Sequence, residues 1–407
     1  MSDHTGELND PMAIFTQSTR HNPHPIYAKM REAGPLFCVP STQTGERYWF
    51  ITHYNECAAA LKDHSIGKDF RKKLPPEMVA TMPPPDPFLE MTNRNMLFVD
   101  PPDHTRLRGL VHKAFTPRMI ENLRGRITQI TADLIERMGT HGEIDLIDQF
   151  AYPLPITVIA ELLGVPVSDQ QQFRDWSHVL LFESDLHTVQ QTALSFVMYF
   201  HEMVDERRLH PKEDLITALV QAEDQGDKLD REELMGMIFL LLVAGHETTV
   251  NLIANGMLAL TQHRDQFDRL RTEPGLVKNA VEEIIRYDGP VETATIRWAF
   301  DGAQVQGQTI PVGDIVFVAL HSANRDPSAF HDPDRFDISR PDASKHLGFG
   351  SGIHYCLGAP LARMEGAIAL DALVRHFPQM ELAAPLESLS WNPSILLHGM
   401  TAMPVKY

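Results

Sequence analysis

Cysteine is scarce: Cys38, Cys57 and Cys356 are the only three in 407 residues. An odd number of widely spaced cysteines does not make a disulfide framework, so a reducing, cytoplasmic setting is expected. Basic residues are also few. The chain has 36 Lys and Arg against 54 Asp and Glu, a formal net charge of −18. With no basic tail, that balance argues against nucleic acid as a partner, since phosphate contacts need clustered Lys and Arg. It argues equally against an anionic membrane surface. The N-terminal sequence lacks a basic region followed by an apolar run, so no signal peptide is expected. The longest mostly apolar stretch without a charge, residues 234–245, is twelve residues long. A bilayer needs about 17–25, so no membrane is expected. Fixed-period repeats and linker-like composition are missing too. Hydrophobic residues at 43% and charged residues at 22% suit a folded globular protein.

What the chain does have is helical periodicity. Residues 25–33 predict a short helix ended by Gly34-Pro35. Residues 47–51 (RYWFI) predict a strand, and residues 103–115 a helix stopped near Pro117. From Met119 the apolar positions Met119, Ile120, Leu123, Ile127, Ile130, Leu134, Ile135 and Met138 step by three and four. That spacing marks a helix with one buried stripe. Asp230-Arg231-Glu232-Glu233 predicts a helix start, an acidic N-cap with Glu at the third helical position. This helix should run to about Gln262, some 30 residues or roughly 45 Å at 1.5 Å per residue. A helix apolar all round is buried all round, so it should pass through the middle of the protein. Residues 277–287 and 357–377 are also helical in pattern, the latter with Pro360 in its first turn. Residues 293–320 show short β-type runs with Gly302, Gly307 and Gly313 as turn signals. The expectation is a mainly α fold with a minor β part. One large domain would cover 21–407, behind a partly disordered N-terminal segment 1–20.

Residues 74–98 stand apart, with Pro75, Pro76, Pro83, Pro84, Pro85 and Pro87 among methionines, leucines and Phe88. Prolines deny such a loop a regular helix. Its apolar side chains need a partner, either by ordinary packing or as a lid over an apolar ligand site.

The strongest chemical signal is Phe349-Gly350-Ser351-Gly352-Ile353-His354-Tyr355-Cys356-Leu357-Gly358. The glycines allow a tight turn where backbone can approach a flat ligand. Cys356 then stands at the start of a long helix, where unpaired N–H groups and the helix dipole favour a thiolate. A cysteine held so is a nucleophile or a metal ligand. No second cysteine lies nearby, which argues against structural zinc.

This segment resembles the haem-binding loop of the cytochrome P450 family. The resemblance implies that Cys356 is the axial thiolate ligand of the iron of haem b, iron protoporphyrin IX, with Phe349, Gly350 and Gly358 shaping the loop. It places the haem between the central long helix and the Cys loop with the last helix. A thiolate ligand pushes electron density to iron and favours O–O cleavage.

Three further motifs carry the likeness. Glu283-Ile284-Ile285-Arg286 puts Glu and Arg at i and i+3, on one helix face. The family joins such a pair to a second Arg in a Pro-x-Arg-Phe segment, here Pro333-Asp334-Arg335-Phe336, which implies a structural triad of Glu283, Arg286 and Arg335. Ala244-Gly245-His246-Glu247-Thr248-Thr249 interrupts the apolar central helix with polar groups that are costly unless satisfied or used. Position 250 is Val, so His246-Glu247 does not open a zinc-protease motif. The family places this segment over the distal haem face. Ala244 and Gly245 would leave room for dioxygen, while Glu247 and Thr248 would deliver protons. Finally, His104 and Arg108 lie at i and i+4 after Asp100-Pro101-Pro102. The resemblance makes them haem-propionate contacts, together with Arg297 and His354. Four donors suit two carboxylates, because charge-assisted hydrogen bonds are strong ones.

The resemblance runs from about residue 20 to the end and points to the soluble bacterial type. It implies a haem-thiolate monooxygenase inserting one atom of O2 into an apolar organic substrate, by hydroxylation or epoxidation. Electrons would come from a separate ferredoxin and ferredoxin reductase. A peroxide-driven haem oxygenase is one alternative, against which Glu247 and Thr248 argue. A haem-binding protein without turnover is the other. By family position the substrate walls are residues 75–98, 173–200, 237–248, 291–296 and 394–397. They are mostly apolar and compatible with a macrolide, terpenoid, steroid or fatty acid. On an acidic chain an acidic ferredoxin needs a basic patch. Arg106, His112, Lys113, Lys345 and Arg363 are the candidates, with Arg106 expected to point outward.

Overall fold

The computed structural model describes residues 17–40, 47–82, 93–183, 185–224 and 226–407. The chain forms two compact units, each discontinuous in sequence. One is made of the described residues of Met1–Val79, Thr128–Ala151 and Thr248–Tyr407; the other is made of those of Ala80–Ile127 and Tyr152–Glu247.

In the first unit, alternation in Arg47–Ile51 makes a strand whose Trp49, Phe50 and Ile51 are all buried. It pairs antiparallel with Leu36–Pro40 and parallel with Ile315–Val318. Arg297–Ala299 and Ile66–Gly67 complete a five-stranded sheet, both pairings antiparallel. One sheet face packs Ile51, Val316 and Val318 on Cys57, Leu61 and Leu320; the other packs Phe50 and Phe317 on Tyr27 and Met30. The helix Val277–Asp288 buries Ala280, Val281, Ile284 and Ile285. The last helix, Ala359–His376, begins with proline in its first turn, as expected. Glu381–Leu382, Pro404–Lys406 and Glu143–Asp145 form a small second sheet. The expected N-terminal segment falls mostly on residues 1–16, outside the described residues. Its last residue, Arg20, ends the helix Gln17–Arg20, is buried and pairs with Glu292.

The second unit is helical. His104, Leu107, Leu110 and Val111 recur at steps of three and four along Asp103–Ala114, and that stripe is buried. Pro153–Leu163, Gln170–Phe182, Leu186–Leu209 and Leu215–Gln221 follow. Edge-to-face and tilted contacts link Trp176, Phe196, Tyr199, Phe200 and Phe239.

The central helix spans Arg231–Gln262. Its start is the predicted capping box: Glu233 N–H donates to Asp230 Oδ1 at 2.8 Å, and Asp230 N–H to Glu233 Oε2 at 2.9 Å. Three expectations need correction. The central helix ends at Gln262 as expected, but the twelve-residue charge-free run understates how apolar it is. An 18-residue window averages a hydropathy of 1.6, enough by length and composition to cross a membrane, and 67% of that window is buried inside protein. The stripe from Met119 is two helices, Pro117–Asn122 and Arg124–Met138. Leu123 N–H closes a tight turn on Ile120 O at 3.1 Å, and the stripe continues across the break. In the proline-rich segment Pro76–Val79 is a short helix, and residues 83–92 lie outside the described residues.

Candidate active site

In the first unit, hydrogen bonds hold the segment before Cys356 turn by turn. Leu347 N–H donates to Asn324 Oδ1 at 2.7 Å, Gly348 N–H to His346 Nδ1 at 3.1 Å and Gly350 N–H to Leu347 O at 2.7 Å. Gly350 and Gly352 have φ of 73° and 71°, the left-handed region where a side chain is strained. The reversal brings Cys356 N–H to Phe349 O at 2.9 Å. Cys356 is half-buried, two residues before Gly358 caps the last helix. A Cβ on Gly358 would come within 4.0 Å of Cys356 Sγ.

The other cysteines are kept as thiols. Cys57 is fully buried, donates its S–H to Ile51 O at 3.1 Å, and burial pushes its thiol well up. Cys38, half-buried in the edge strand, is also raised, first by burial and then by Asp314.

A second layer grips the turn. Arg363 donates to Glu282 at 2.6 and 2.9 Å and to Tyr355 Oη at 3.2 Å, and lies 4.4 Å over the Phe349 ring. His346 Nε2 is 3.1 Å from Glu282. Burial alone would raise the Glu282 carboxyl, but hydrogen bonds from His346 and Arg363 bring it down to about 2. Sequence reading missed Glu282 and His346, and it placed Arg363 in a docking patch.

The Glu-x-x-Arg pair is fully buried, with Arg286 donating to Glu283 at 2.7 and 2.9 Å. The second arginine on Glu283 is not the expected Arg335. Arg340 Nε donates to Glu283 Oε1 at 3.2 Å. The Arg335 side chain is 67% exposed and faces Asp337; only its carbonyl takes part, accepting from Arg286 at 3.1 Å and Arg340 at 2.9 Å. Both arginines also donate to backbone carbonyls of the loop 324–335, so the cluster stitches that loop to the helix.

Arg297 is buried on its strand and donates to Ile66 O at 2.9 Å. His354 ends the half-buried turn Gly352–His354. Lys68 holds the preceding segment through the carbonyls of Thr295 at 2.6 Å and Ile296 at 2.8 Å, and leaves the Ile296 side chain 37% exposed.

In the second unit, His104 is buried. Its pKa is lowered by burial and then by the neighbouring Arg108 charge, so the structure does bring this pair together. Arg106 does not point freely outward as expected. It pairs with Glu233 and lies 3.6 Å from Asp227, locking its helix to the start of the central one.

Along the middle of the central helix Phe239, Leu241, Val243, Ala244, Gly245 and Thr248 are at least partly accessible, and Leu241, Ala244, Gly245 and Thr248 among them are spaced by three and four. That spacing puts these four on one face. Ala244 is exposed there, while Leu242, His246, Glu247 and Thr249 are buried. The room is at Ala244. Gly245 serves packing instead, because a Cβ on it would meet Ile159 Cδ1 at 3.3 Å. His246 is a core residue: Nδ1 bonds Leu242 O at 2.9 Å, its ring meets Tyr152 edge-on, and burial lowers its pKa to about 4. Burial raises the Tyr152 hydroxyl to about 12, although the Arg174 charge opposes it.

The predicted residues thus fall into two sets. Cys356, Phe349, Gly350, Gly358, His354, Arg297 and Thr248 lie in the first unit, and His104, Arg108, Ala244, Gly245 and Glu247 in the second. They suit a flat group bearing a metal and carboxylates. One half-buried sulfur follows a turn with no side chain at 350, 352 or 358, and the remaining donors are cationic or imidazole.

Comparison with known proteins agrees with this chemistry. A family model described as Cytochrome P450 matches residues 177–400. "Cytochrome P450 monooxygenase PikC" of Streptomyces venezuelae is 44% identical over 97% of this chain and 94% of its own. "Polyketide biosynthesis cytochrome P450 PksS" of Bacillus subtilis is 42% identical over 95% of this chain and 96% of its own. Among solved structures, the myxobacterial cytochrome P450 CYP267B1 in complex with myristic acid has a TM-score of 0.89 and 45% identity, covering 97% of this chain and 98% of that one.

Proposed function

The chain belongs to the cytochrome P450 family and is a monooxygenase that puts one atom of dioxygen into an organic substrate, and on that premise we propose the part each of its own residues plays. Bound haem, as haem b, supplies the activation of dioxygen with two electrons and two protons. Cys356 would hold its iron as thiolate. The glycine turn and the dipole of the helix Ala359–His376 favour the deprotonated sulfur. Arg297 and His354 in one unit, and His104 and Arg108 in the other, would receive the propionates. Glycines at 350 and 358 would admit the flat group, with Phe349 held under Arg363 in the same turn.

Proton transfer falls to Glu247 and Thr248. The Thr248 hydroxyl lies on the accessible face with Ala244. Glu247 is buried beside it, about 100° round the helix. In this reading the hydroxyl would take a proton relayed from the carboxyl and hold it at the accessible face. We propose a substrate with a long apolar skeleton, of the polyketide or fatty-acid kind. Accessible Ala244 and Ile296 support this, as do the polyketide and myristic acid in the relatives' names. Electrons would come from a ferredoxin and its reductase in the cytoplasm, with residues 21–407 acting as one catalytic domain.

The observation that carries this reading is the turn 349–358, which delivers a half-buried cysteine to a helix start while the other two thiols are held protonated. In the reduced carbon-monoxide complex, Cys356→Ser should lose the thiolate-type absorption band, and Cys38→Ser should keep it. A normal band in Cys356→Ser would overturn the assignment. Turnover with a surrogate ferredoxin and reductase, but not with peroxide alone, would separate the dioxygen route from the peroxide route.

A further inference from the structure

Away from these residues, the first unit gathers three imidazoles and a carboxylate from distant parts of the chain. His24 opens the helix His24–Ala33, Asp288 ends Val277–Asp288, His321 lies in Leu320–Asn324, and His398 lies near the C-terminus. His24 Nε2 is 3.4 Å and His398 Nε2 3.3 Å from the same Asp288 Oδ1. Donor atoms of His24, Asp288 and His321 all lie within 4.8 Å of one another. Two ligands on a tetrahedral zinc, with bonds of about 2.0–2.1 Å, are roughly 3.3 Å apart, so two of these spacings already equal a coordination edge.

The tautomers agree. His321 Nε2 donates to Gly289 O at 2.8 Å, which leaves the lone pair on Nδ1. A backbone carbonyl behind the ring is the usual outer support of a metal-ligating histidine. His321 Nδ1 and His24 Nδ1 are buried and make no hydrogen bond, and His321 is 1% exposed. Buried polar atoms normally have partners, so the contacts to Asp288 and Gly289 do not account for these two nitrogens. Around the cluster, His398 stacks on Trp391 at 4.4 Å, and Glu292, held by Tyr27 at 2.9 Å and by Arg20, comes within 3.9 Å of His398 Nδ1.

We propose that His24, Asp288, His321 and His398 form a structural site for a zinc-type divalent cation, tying four separated segments together. No short motif announces it, because His24 and His398 are 374 positions apart.

The test uses full-length, haem-loaded protein, stripped with chelator and incubated with zinc chloride. After gel filtration the wild type should keep about one zinc per chain and melt at a higher temperature than the stripped form. His24→Gln/His321→Gln should lose both effects while keeping its haem absorbance. Equal zinc retention in wild type and variant, or none in the wild type, overturns the site. Should the variant fail to take up haem, wild-type crystals soaked in zinc decide the matter. An anomalous peak bonded to His321 Nδ1 supports the site, and no peak there refutes it.

Discussion

Two guanidinium groups meet one carboxylate at Glu283, with no measurable exposure on Glu283 or Arg286. Removing one partner of a buried ion pair typically costs about 3–5 kcal/mol, because the other charge is left uncompensated. Arg340→Ala should therefore lower the melting temperature markedly and loosen haem retention, whereas Arg335→Ala, changing an exposed side chain, should stay within about 0.5 kcal/mol of wild type. Equal losses in thermal unfolding would restore Arg335 to the cluster. The spacing of Pro333-Asp334-Arg335-Phe336 located the right loop but not the right side chain. That loop turns at Asp332, with φ of 44°, and presents the carbonyl of Arg335 to Arg286 while Arg340 swings back to Glu283. Glu365 supports a second prediction. It is buried in the last helix with Oε2 unpartnered, and burial raises its pKa to about 8. The folded chain then holds a proton that the unfolded chain releases near its ordinary value of about 4.3. This contribution to stability is complete below that value and declines as pH climbs toward 8. Glu365→Gln should match wild type at pH 4–5 and melt a few degrees higher near pH 9; parallel curves across that range would show the carboxyl to be ionised already.

The central helix is built from opposed demands. Its apolar composition buries it, while positions 244 to 249 carry an open face and four polar side chains. Thr248→Ala and Glu247→Gln should keep haem and substrate binding but yield less product per electron consumed, with a loss of about 10²–10⁴-fold in the proton-dependent step. Unchanged coupling in both, with peroxide release measured alongside, would reduce the pair to a structural role. Gly245→Ala should act differently, through Ile159, which must give by a few tenths of an ångström. Features set by local chemistry were legible in the chain: the capping box at Asp230 and Glu233, the strand at 47–51, and the glycine turn before Cys356. Features set by partners far along the sequence were not. Arg106 next to His104 read as an outward cation, because nothing local shows Glu233 arriving 127 positions later. The stripe from 119 to 138 hid a break at Leu123, because a single tight turn shifts the helix axis without disturbing which residues are apolar.

At the scale of the whole molecule, charge decides how an electron donor finds the chain. The net charge of −18 repels an acidic ferredoxin at long range, so docking needs local cations that internal pairs do not consume. Arg106 is committed to Glu233 and Arg363 to Glu282, which removes them from that role. Beside the cysteine turn two exposed lysines stand out. Lys62 packs its stem against Gly352, where a Cβ would meet Lys62 Cγ at 3.1 Å, and Lys345 ends the short turn Ala343–Lys345 leading into the loop. Both belong to the unit that carries Cys356. Their stems can lie on the protein while the ammonium groups reach water, where they attract carboxylates without desolvation. Such exposed charges act mainly on the association rate and little on the bound complex. Lys62→Glu/Lys345→Glu should therefore slow reduction by a ferredoxin at low salt, while reduction by a small uncharged reductant stays at the wild-type rate. Raising ionic strength to physiological values, where screening falls to about 8–10 Å, should slow the wild type and narrow the gap to the variant. A wild-type rate indifferent to salt, with no loss in the double variant, would mean that the donor docks on a different surface and by contacts other than charge.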